Sequence, residues 1–302
     1  MSAFWDSWRK EIIRGATLFC GVLVIGFFVH YVVGRGRQVV GTNLPAALRD
    51  LRSQFDPDGG GGPRTTGATW TYRAKIAPQQ WVWIHNTRGS ITVDPAKADS
   101  LQITAVKTYS SSDTASVHLV AVPYDGGIAV CAVWPGNDGS CRPGKDVRSG
   151  RTHGNDVAVD FTVRLPPRVR LGAMTQIGDV HVKGVSAPLF VGTVSGDLDA
   201  ETTQGPVSAF SVNGNVRVRM RAFGDTGAVS VVTVNGSVTA ELPSRLDADV
   251  EAKTINGSIT TDYPLTVTGR FTSHTLKGTV GGGGRDVHIT TVNGSVTLKK
   301  AI

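Results

Sequence analysis

The sequence predicts an all-β domain built of stacked coils, a β-solenoid, on three observations. A phrase of the form Thr–apolar–Asn–Gly–polar–apolar recurs at 233–238, 254–259 and 291–296. Glycines return at intervals of about 20 residues through the second half of the chain, which is typical of proteins that stack one coil on another. From Trp70 onward, short runs rich in Val, Ile and Thr alternate with turn residues, and no helical pattern interrupts them.

The Asn–Gly pairs predict tight corners in the backbone. Asparagine and glycine accept positive φ at the least cost, so they suit the type I′ turn of a hairpin and also a solenoid corner. We therefore assign a structural role to the repeat-turn residues Asn213, Gly214, Asn235, Gly236, Asn256, Gly257, Asn293 and Gly294.

The spacing favours a solenoid over a β-sandwich built of hairpins, because only stacked coils place equivalent residues above one another. A hydroxyl stands three residues before successive glycines, which predicts a side-chain ladder of Thr193, Thr202, Ser211, Thr233, Thr254, Thr275 and Thr291. An apolar residue stands two after each glycine, which predicts a core ladder of Leu198, Val207, Val216, Val238, Ile259, Val280 and Val296.

The N-terminal part predicts a membrane anchor. Residues 16–33 form an apolar run long enough to span the hydrocarbon core, and no small-x-small cleavage site follows it. We expect an uncleaved signal anchor after a cytoplasmic segment at 1–15. A linker with a short amphipathic helix would follow at 34–68 and a β-strand-repeat domain at 69–302, most regular over 172–298. The basic residues that flank the span lean only slightly toward a cytoplasmic N-terminus.

Two of the three cysteines predict a disulfide. Cys131 and Cys141 flank an interval rich in Pro, Gly, Asn and Asp, which predicts a turn that brings their sulfurs together. Such a bond persists in an oxidising compartment, so it predicts a single-pass membrane protein with most of its chain outside the cytoplasm, in the periplasm or at the cell surface.

Arg217, Arg219 and Arg221 form a candidate anion-binding stripe, because alternate residues of a strand share one face. The competing interpretation is a solvated face paired with acids of a neighbouring coil. Asp247, Asp249 and Glu251 form an acidic stripe that we expect to be solvated, and the glycine run 281–284 is expected to be a loop. The sequence predicts no catalytic residue, no metal site and no cofactor.

The T-V-N-G-S-V phrase, the V-D-F-T-V-R-L-P segment at 159–166 and the C-A-V-W-P…C-R-P loop resemble a bacterial β-strand-repeat family. Its members are described as proposed adhesins or domains of unknown function. The resemblance covers about residues 80–300. It implies a right-handed β-helix-like domain, often carried on one N-terminal membrane anchor, and it brings no catalytic residues.

These patterns predict a non-enzymatic cell-envelope protein that presents a β-solenoid for adhesion or for interaction with envelope components. The expected partners are the membrane, through one span, and an envelope glycan, lipid headgroup or protein. The net charge of +7 is spread along the chain rather than clustered, so no nucleic acid is expected. Two alternatives remain, a carbohydrate-active enzyme on a β-helix scaffold and an accessory protein of the envelope stress response.

Overall fold

The computed structural model describes residues 64–136, 141–144, 154–223, 228–264, 266–267 and 272–301. All of them belong to one compact unit, Pro57–Ile302. The predicted segment at 1–15, the predicted span at 16–33 and the linker up to residue 63 lie outside the described residues. Within the part of the chain that is described, no helix is long and apolar enough to cross a membrane.

The described chain folds into β-strands joined by short turns, and β1 begins ahead of the predicted domain boundary at 69. The strands are β1 Thr65–Lys75, β2 Trp81–His85, β3 Ile91–Pro95, β4 Ser100–Tyr109, β5 His118–Tyr124, β6 Gly127–Val133, β7 Ala158–Leu165, β8 Arg170–Met174, β9 Val180–Val185, β10 Leu189–Ser195, β11 Leu198–Thr202, β12 Val207–Asn213, β13 Val216–Met220, β14 Val229–Asn235, β15 Val238–Leu242, β16 Ala248–Lys253, β17 Ile259–Thr261, β18 Thr266–Val267, β19 Thr275–Val280, β20 Asp286–Thr290 and β21 Val296–Lys300. One 3₁₀ turn, Thr114–Ser116, lies between β4 and β5.

The strands form two long sheets. The first sheet has the order β1-β4-β7-β3-β9-β11-β13-β15-β21-β17, and the second has the order β18-β19-β16-β20-β14-β12-β10-β8-β2-β6-β5. Along the middle of the chain, successive strands alternate between the sheets, and neighbours within each sheet are parallel. Each coil is therefore a strand of the second sheet, a corner and a strand of the first sheet. Crossovers between parallel strands are right-handed in almost all proteins.

The core lies between the two sheets and follows from strict alternation along each strand. In β12 and β14 the inward residues Val207, Ala209, Val229 and Val231 are buried, while the residues between them are partly exposed. Alternation of this kind is what a strand with one buried face requires. The all-β, solenoid-like fold is thus confirmed. Consecutive strands lie in different sheets through the central coils, which a hairpin-built sandwich would not produce.

The stacking order departs from the chain order at both ends. The coil β20–β21, last in sequence, lies between β14–β15 and β16–β17. Near the other end, β2–β3 lies between β6–β7 and β8–β9. The predicted apolar ladder is therefore wrong in part. Val207 and Val280 belong to the second sheet, and Ile259 is only partly buried at the edge of the first.

Antiparallel strands lie at both ends of the stack. β1 and β4 extend the first sheet beyond β7, β5 pairs with β6, and β19 pairs with β16. At the far end Tyr263 is buried and its hydroxyl donates to the Leu242 carbonyl at 2.6 Å. Burial, followed by the nearby Asp262 charge, raises the pKa of the Tyr263 phenol. A neutral tyrosine thus covers this end of the core.

Candidate functional site

Seven glycines form the corners where the strands of the second sheet pass into the first. In stacking order these corner glycines are Gly89, Gly178, Gly196, Gly214, Gly236, Gly294 and Gly257. The first six have φ between 115° and 156°, which disfavours any side chain. A Cβ on Gly214 would overlap the carbonyl oxygen of Gly196, and one on Gly236 would overlap that of Gly214. The corners therefore require glycine for two reasons, backbone conformation and close stacking.

At six of the seven corners, the residue three before the glycine donates a hydroxyl to the glycine carbonyl of the adjacent coil; at Gly89 this residue is Asn86, whose amide donates to the Gly89 and Val159 carbonyls. Thr193 reaches the Gly178 oxygen at 2.9 Å, Thr233 the Gly214 oxygen at 3.0 Å, and Thr291 the Gly236 oxygen at 2.8 Å. Thr175, Ser211 and Thr254 make the same bond. All six are buried. The ladder thus supplies a buried hydrogen-bond donor to the glycine carbonyl groups of these corners.

Two members of the predicted hydroxyl ladder lie elsewhere. The Thr202 hydroxyl donates to the Val185 carbonyl at 2.7 Å, at the opposite end of its coil. Thr275 lies on β19, opposite Lys253 in an antiparallel pair. Thr175 belongs to the ladder, and the sequence analysis missed it although it stands at the same spacing from Gly178.

The corner asparagines form a side-chain ladder, and the predicted reason for them is wrong. Among the described non-glycine residues only Gln79 and Arg168 have positive φ, so no asparagine adopts the conformation of a type I′ turn. Instead, the Asn235 amide donates to Asn213, that of Asn293 to Asn235, and that of Asn256 to Asn293, each at 2.7 Å. Each amide is both donor and acceptor, so asparagine can continue such a row through every coil.

A further ladder follows the corner glycines. Oδ1 of Asp179 accepts from the Asp197 backbone N–H at 2.8 Å, and Oδ1 of Asp197 accepts from that of Asn215 at 2.7 Å. Asn215 Oδ1 then accepts from the Ser237 N–H at 3.0 Å. These polar groups hold one coil against the next. The eight predicted repeat-turn residues thus lie at the corners.

The arginine stripe lies on the outer face of β13, with Arg221 directly after the strand, and acids of the neighbouring strand β11 approach two of its members. Arg219 binds Asp199 at 2.8 Å, and Arg221 binds Glu201 at 2.7 Å. Arg219 also stands opposite Glu241 of β15, and Glu241 stands opposite Lys299 of β21. Opposite charges thus alternate across the sheet, which stabilises neighbouring strands. Arg217 is exposed, and the structure gives it no ion pair among the described residues.

Two residues of the acidic stripe accept hydrogen bonds from the turn between β19 and β20. Asp247 accepts from the Gly282 N–H at 2.7 Å, and Asp249 accepts from the Gly284 N–H at 3.0 Å and from the Thr279 hydroxyl. The Gly284 bond, with that of Thr279, lowers the pKa of Asp249. Glu251 pairs with Lys253, and that hydrogen bond lowers its pKa. No group of three potential metal ligands occurs among the residues that the structure places.

The outer face of the second sheet carries an aromatic cluster, which sequence reasoning missed. The Trp83 ring lies over Gly172 of β8, and the Phe210 ring over Gly192 of β10, so that a Cβ at either glycine would collide with the ring. Trp81 stacks on Trp83 with ring centroids 4.8 Å apart. The only early signal was the tryptophan pair in β2, because its glycine partner lies far away in sequence.

The disulfide joins this cluster. Cys131 of β6 and Cys141 are bonded, with Cα atoms 5.7 Å apart, so the structure contains the predicted bridge. Both cysteines belong to the same buried cluster as Trp83, Met174 and Phe190. Tyr124 also contacts Trp83, and burial raises the pKa of its phenol despite a hydrogen bond with that indole. The bridge thus fixes the start of the connection from β6 to β7, where other coils have a glycine corner.

An apolar row follows the cluster along the same face. Its members, each two residues before a corner glycine, are Val194, Val212, Val234, Val292 and Ile255. The valines are partly exposed and Ile255 is 64% exposed, the one large hydrophobic side chain in the described residues that is mainly in solvent. Neighbouring strands are about 4.8 Å apart, so the row is about 20 Å long. The asparagine ladder borders it.

The two sheets, the glycine corners and the polar ladders define a solenoid-like β-repeat protein. The model of the Toastrack DUF4097 family matches residues 148–299, half of the chain, and the chain belongs to this family. The predicted resemblance is therefore confirmed. A search of curated proteins found no match.

The solved structures to which this chain is similar include three bacterial proteins. A proposed cell adhesion protein from Clostridium sporogenes is 11% identical, with a TM-score of 0.46, and the match covers 78% of this chain and 100% of that one. A proposed adhesin from Bacteroides fragilis is 9% identical, with a TM-score of 0.27 and coverage of 78% and 97%. Another from Parabacteroides merdae is 10% identical, with a TM-score of 0.25 and the same coverage.

Proposed function

We propose that this protein is a membrane-anchored, non-enzymatic module of the cell envelope, and that its toastrack domain binds envelope components. The apolar row on the outer face of the second sheet carries the proposal. Contiguous exposed apolar residues bordered by polar groups are typical of interaction sites. The polar groups of the corners, by contrast, bond to one another and hold the scaffold.

The disulfide supports a location outside the cytoplasm. Cys131–Cys141 lies within the domain, and disulfides of this kind persist in oxidising compartments. The apolar run at 16–33 provides the anchor in this proposal and would place the domain across the membrane from the N-terminus. The disulfide and the apolar run thus both support the proposal of an extracytoplasmic domain.

The partner that we propose is a neutral surface, either an envelope protein or the apolar face of a glycan. The apolar row has no charged member, whereas Arg219 and Arg221 of the anion-binding stripe are neutralised by Asp199 and Glu201. An anionic lipid headgroup would need several free guanidinium groups, and only Arg217 of the three has no ion pair among the described residues. This comparison ranks the anion-binding hypothesis second.

Location can be tested in cells that produce the full chain. We expect the protein in the membrane fraction, resistant to carbonate extraction. Protease added outside the inner membrane should digest the toastrack domain. The cysteines at 131 and 141 should be oxidised when thiols are trapped before lysis. A soluble protein with both thiols reduced would contradict the proposal.

Binding can be tested with the full chain in nanodiscs of neutral lipid. The probes are purified cell-wall glycan, immobilised envelope proteins and vesicles of anionic lipid. Val212→Lys places a charge in the apolar row, and Thr239→Lys, on the outer face of the first sheet, is its control. We expect loss of binding to glycan or protein for Val212→Lys alone. Binding to vesicles only, equal loss in both variants, or turnover of the glycan would overturn the proposal.

A further inference from the structure

Four Asn–Gly pairs occupy equivalent corners of the stack, at 213–214, 235–236, 256–257 and 293–294. Asparagine before glycine can close a succinimide ring, because glycine has no Cβ to keep its backbone nitrogen away from the asparagine Cγ. The pairs at 235, 256 and 293 share the tripeptide Asn-Gly-Ser, and all four asparagines are exposed. Local sequence and exposure therefore do not distinguish one pair from another.

At three of these corners the glycine N–H is held by the neighbouring coil. The bonds, each 2.9 Å from nitrogen to carbonyl oxygen, run from Gly214 to Asn235, from Gly236 to Asn293 and from Gly294 to Asn256. Such a nitrogen keeps its proton and its direction until the corner opens, and opening costs free energy. These three corners are therefore protected from ring closure while the chain is folded.

The fourth corner, Asn256–Gly257, is the last of the stack, because β17 is an end strand of the first sheet. The Gly257 N–H has no hydrogen-bond partner in the part of the chain that the structure describes. The Asn256 amide donates to Oδ1 of Asn293 at 2.7 Å, but no described residue donates to Oδ1 of Asn256. Oδ1 of each of the other three asparagines accepts a bond. The two reacting groups are thus less restrained here than at the interior corners.

We propose that Asn256 is a site of spontaneous deamidation, and that the fold confines this reaction to one of the four Asn–Gly pairs. The Gly257 nitrogen loses its proton to water and attacks Cγ of Asn256. The new N–Cγ bond closes the succinimide ring, the Cγ–Nδ2 bond breaks, and Nδ2 takes up a proton and leaves as ammonia. Water then opens the ring at either carbonyl, which gives aspartate or isoaspartate. Water is the only co-reactant.

The product changes this end of the stack. A carboxylate only accepts hydrogen bonds, so it cannot replace the amide that donates to Oδ1 of Asn293. The reaction also places a negative charge next to Ile255, the most exposed member of the apolar row. One bond between the last two coils is lost, and the uncharged row gains a charged neighbour. The inference is independent of the proposed function, since it requires neither the anchor nor a ligand.

The first test follows the native full chain in nanodiscs of neutral lipid, incubated in mildly alkaline buffer. Peptide mapping by mass spectrometry measures deamidation at each Asn–Gly pair. We expect Asn256 to react at least about tenfold faster than the other three, because their glycine N–H must first leave a hydrogen bond. Equal rates in the folded chain, or a faster reaction at another pair, would overturn the proposal.

The control is the same chain unfolded in guanidinium chloride. Asn235, Asn256 and Asn293 should then react at similar rates, because they share their local sequence and the fold no longer protects two of them. If Asn256 keeps the same advantage in the unfolded chain, the preference comes from the sequence and the role of the corner is refuted.

The second test uses two matched variants, Asn256→Gln and Asn235→Gln. Glutamine keeps the amide, but its extra methylene prevents closure of the five-membered ring. Isoelectric focusing of the aged native chain should show an acidic form. That form should persist in Asn235→Gln and be lost in Asn256→Gln, and circular dichroism checks that both variants fold. An acidic form that accumulates equally in the two variants would contradict the assignment to Asn256.

Discussion

At the scale of single residues, the stability of a corner depends on glycine having no side chain. Gly214 and Gly136 both have positive φ, but only at Gly214 would a Cβ meet the backbone of a neighbouring coil. The free-energy cost of an unfavourable φ and that of a steric clash with the neighbouring coil can therefore be separated by comparing substitutions at the two positions.

Gly214→Ala should lower the free energy of unfolding by about 2–4 kcal/mol, since overpacking adds to the conformational cost. Gly136→Ala, with φ of 81° and no atom within 4 Å of the added Cβ, should cost about 1–2 kcal/mol. Denaturation in urea measures both. Equal losses would show that conformation alone requires glycine at these corners.

The hydroxyl ladder makes a second prediction. Thr233→Val keeps the shape of the side chain but removes the donor to the Gly214 carbonyl, and Thr233 is fully buried. We expect a loss of about 1 kcal/mol in unfolding free energy. The control is Thr239→Val on the partly exposed face of β15, which should change stability by about 0.5 kcal/mol or less. If Thr233→Val leaves the free energy of unfolding unchanged, the hydroxyl ladder does not contribute to stability.

At the scale of elements, one carboxylate holds the turn that follows β4. Asp156 accepts the backbone N–H groups of Ser110, Ser111 and Ser112 at 2.8–3.0 Å. Hydrogen bonding, first with the Ser112 side chain and then with these N–H groups, lowers the pKa of Asp156. A carboxyl group with a lowered folded pKa contributes stability above its unfolded pKa, near 3.9, and loses that contribution as the pH falls through the folded pKa.

Asp156→Asn should therefore destabilise the protein at pH 7 by about 1 kcal/mol, a value reduced for the solvent exposure of the group. The difference from the native chain should shrink as the pH falls below about 4. Urea denaturation at a series of pH values measures it. A difference that stays constant from pH 7 to pH 3 would contradict the role of the charge.

The elements also show what the sequence could predict. The corners and the buried threonines were predictable because they depend on spacing within one phrase. The order of the coils was not, because Thr291–Val296 offers the same ladder groups as Thr254–Ile259 and either coil fits beside β14–β15. The asparagine ladder was hidden for a related reason. Its amides bond between coils, whereas Asn–Gly in isolation is a hairpin signal.

The aromatic cluster shows the same limit. Trp83 covers Gly172 only because β2 is placed beside β8, a pairing that no local pattern specifies. The arginine stripe was open to two interpretations until the structure placed β11 beside β13, with Arg219 bound to Asp199 and Arg221 to Glu201. Positions set by spacing within one repeat could thus be predicted, whereas partners that depend on which coil lies alongside could not.

At the scale of the whole molecule, the stacking order decides which part of the chain can be removed. In a simple repeat array, loss of the last coil leaves the others intact, because each coil contacts only its neighbours. Here the last coil in sequence, β20–β21, is interior to the stack, and the coil β16–β17 with its cap β18–β19 lies outside it.

Deletion of 286–302 should therefore remove an interior coil and expose the flanks of β14–β15 and β16–β17, so cooperative unfolding should be lost. Deletion of 247–284 is the matched control. It removes the outer coil and leaves Pro243–Leu246 with Arg285 to join β15 to β20, which restores agreement between chain order and stacking order. That variant should keep a single, weaker unfolding transition by circular dichroism. If the variant with the shorter C-terminal deletion unfolds cooperatively and the variant with the longer internal deletion does not, β20–β21 is not an interior coil of the stack.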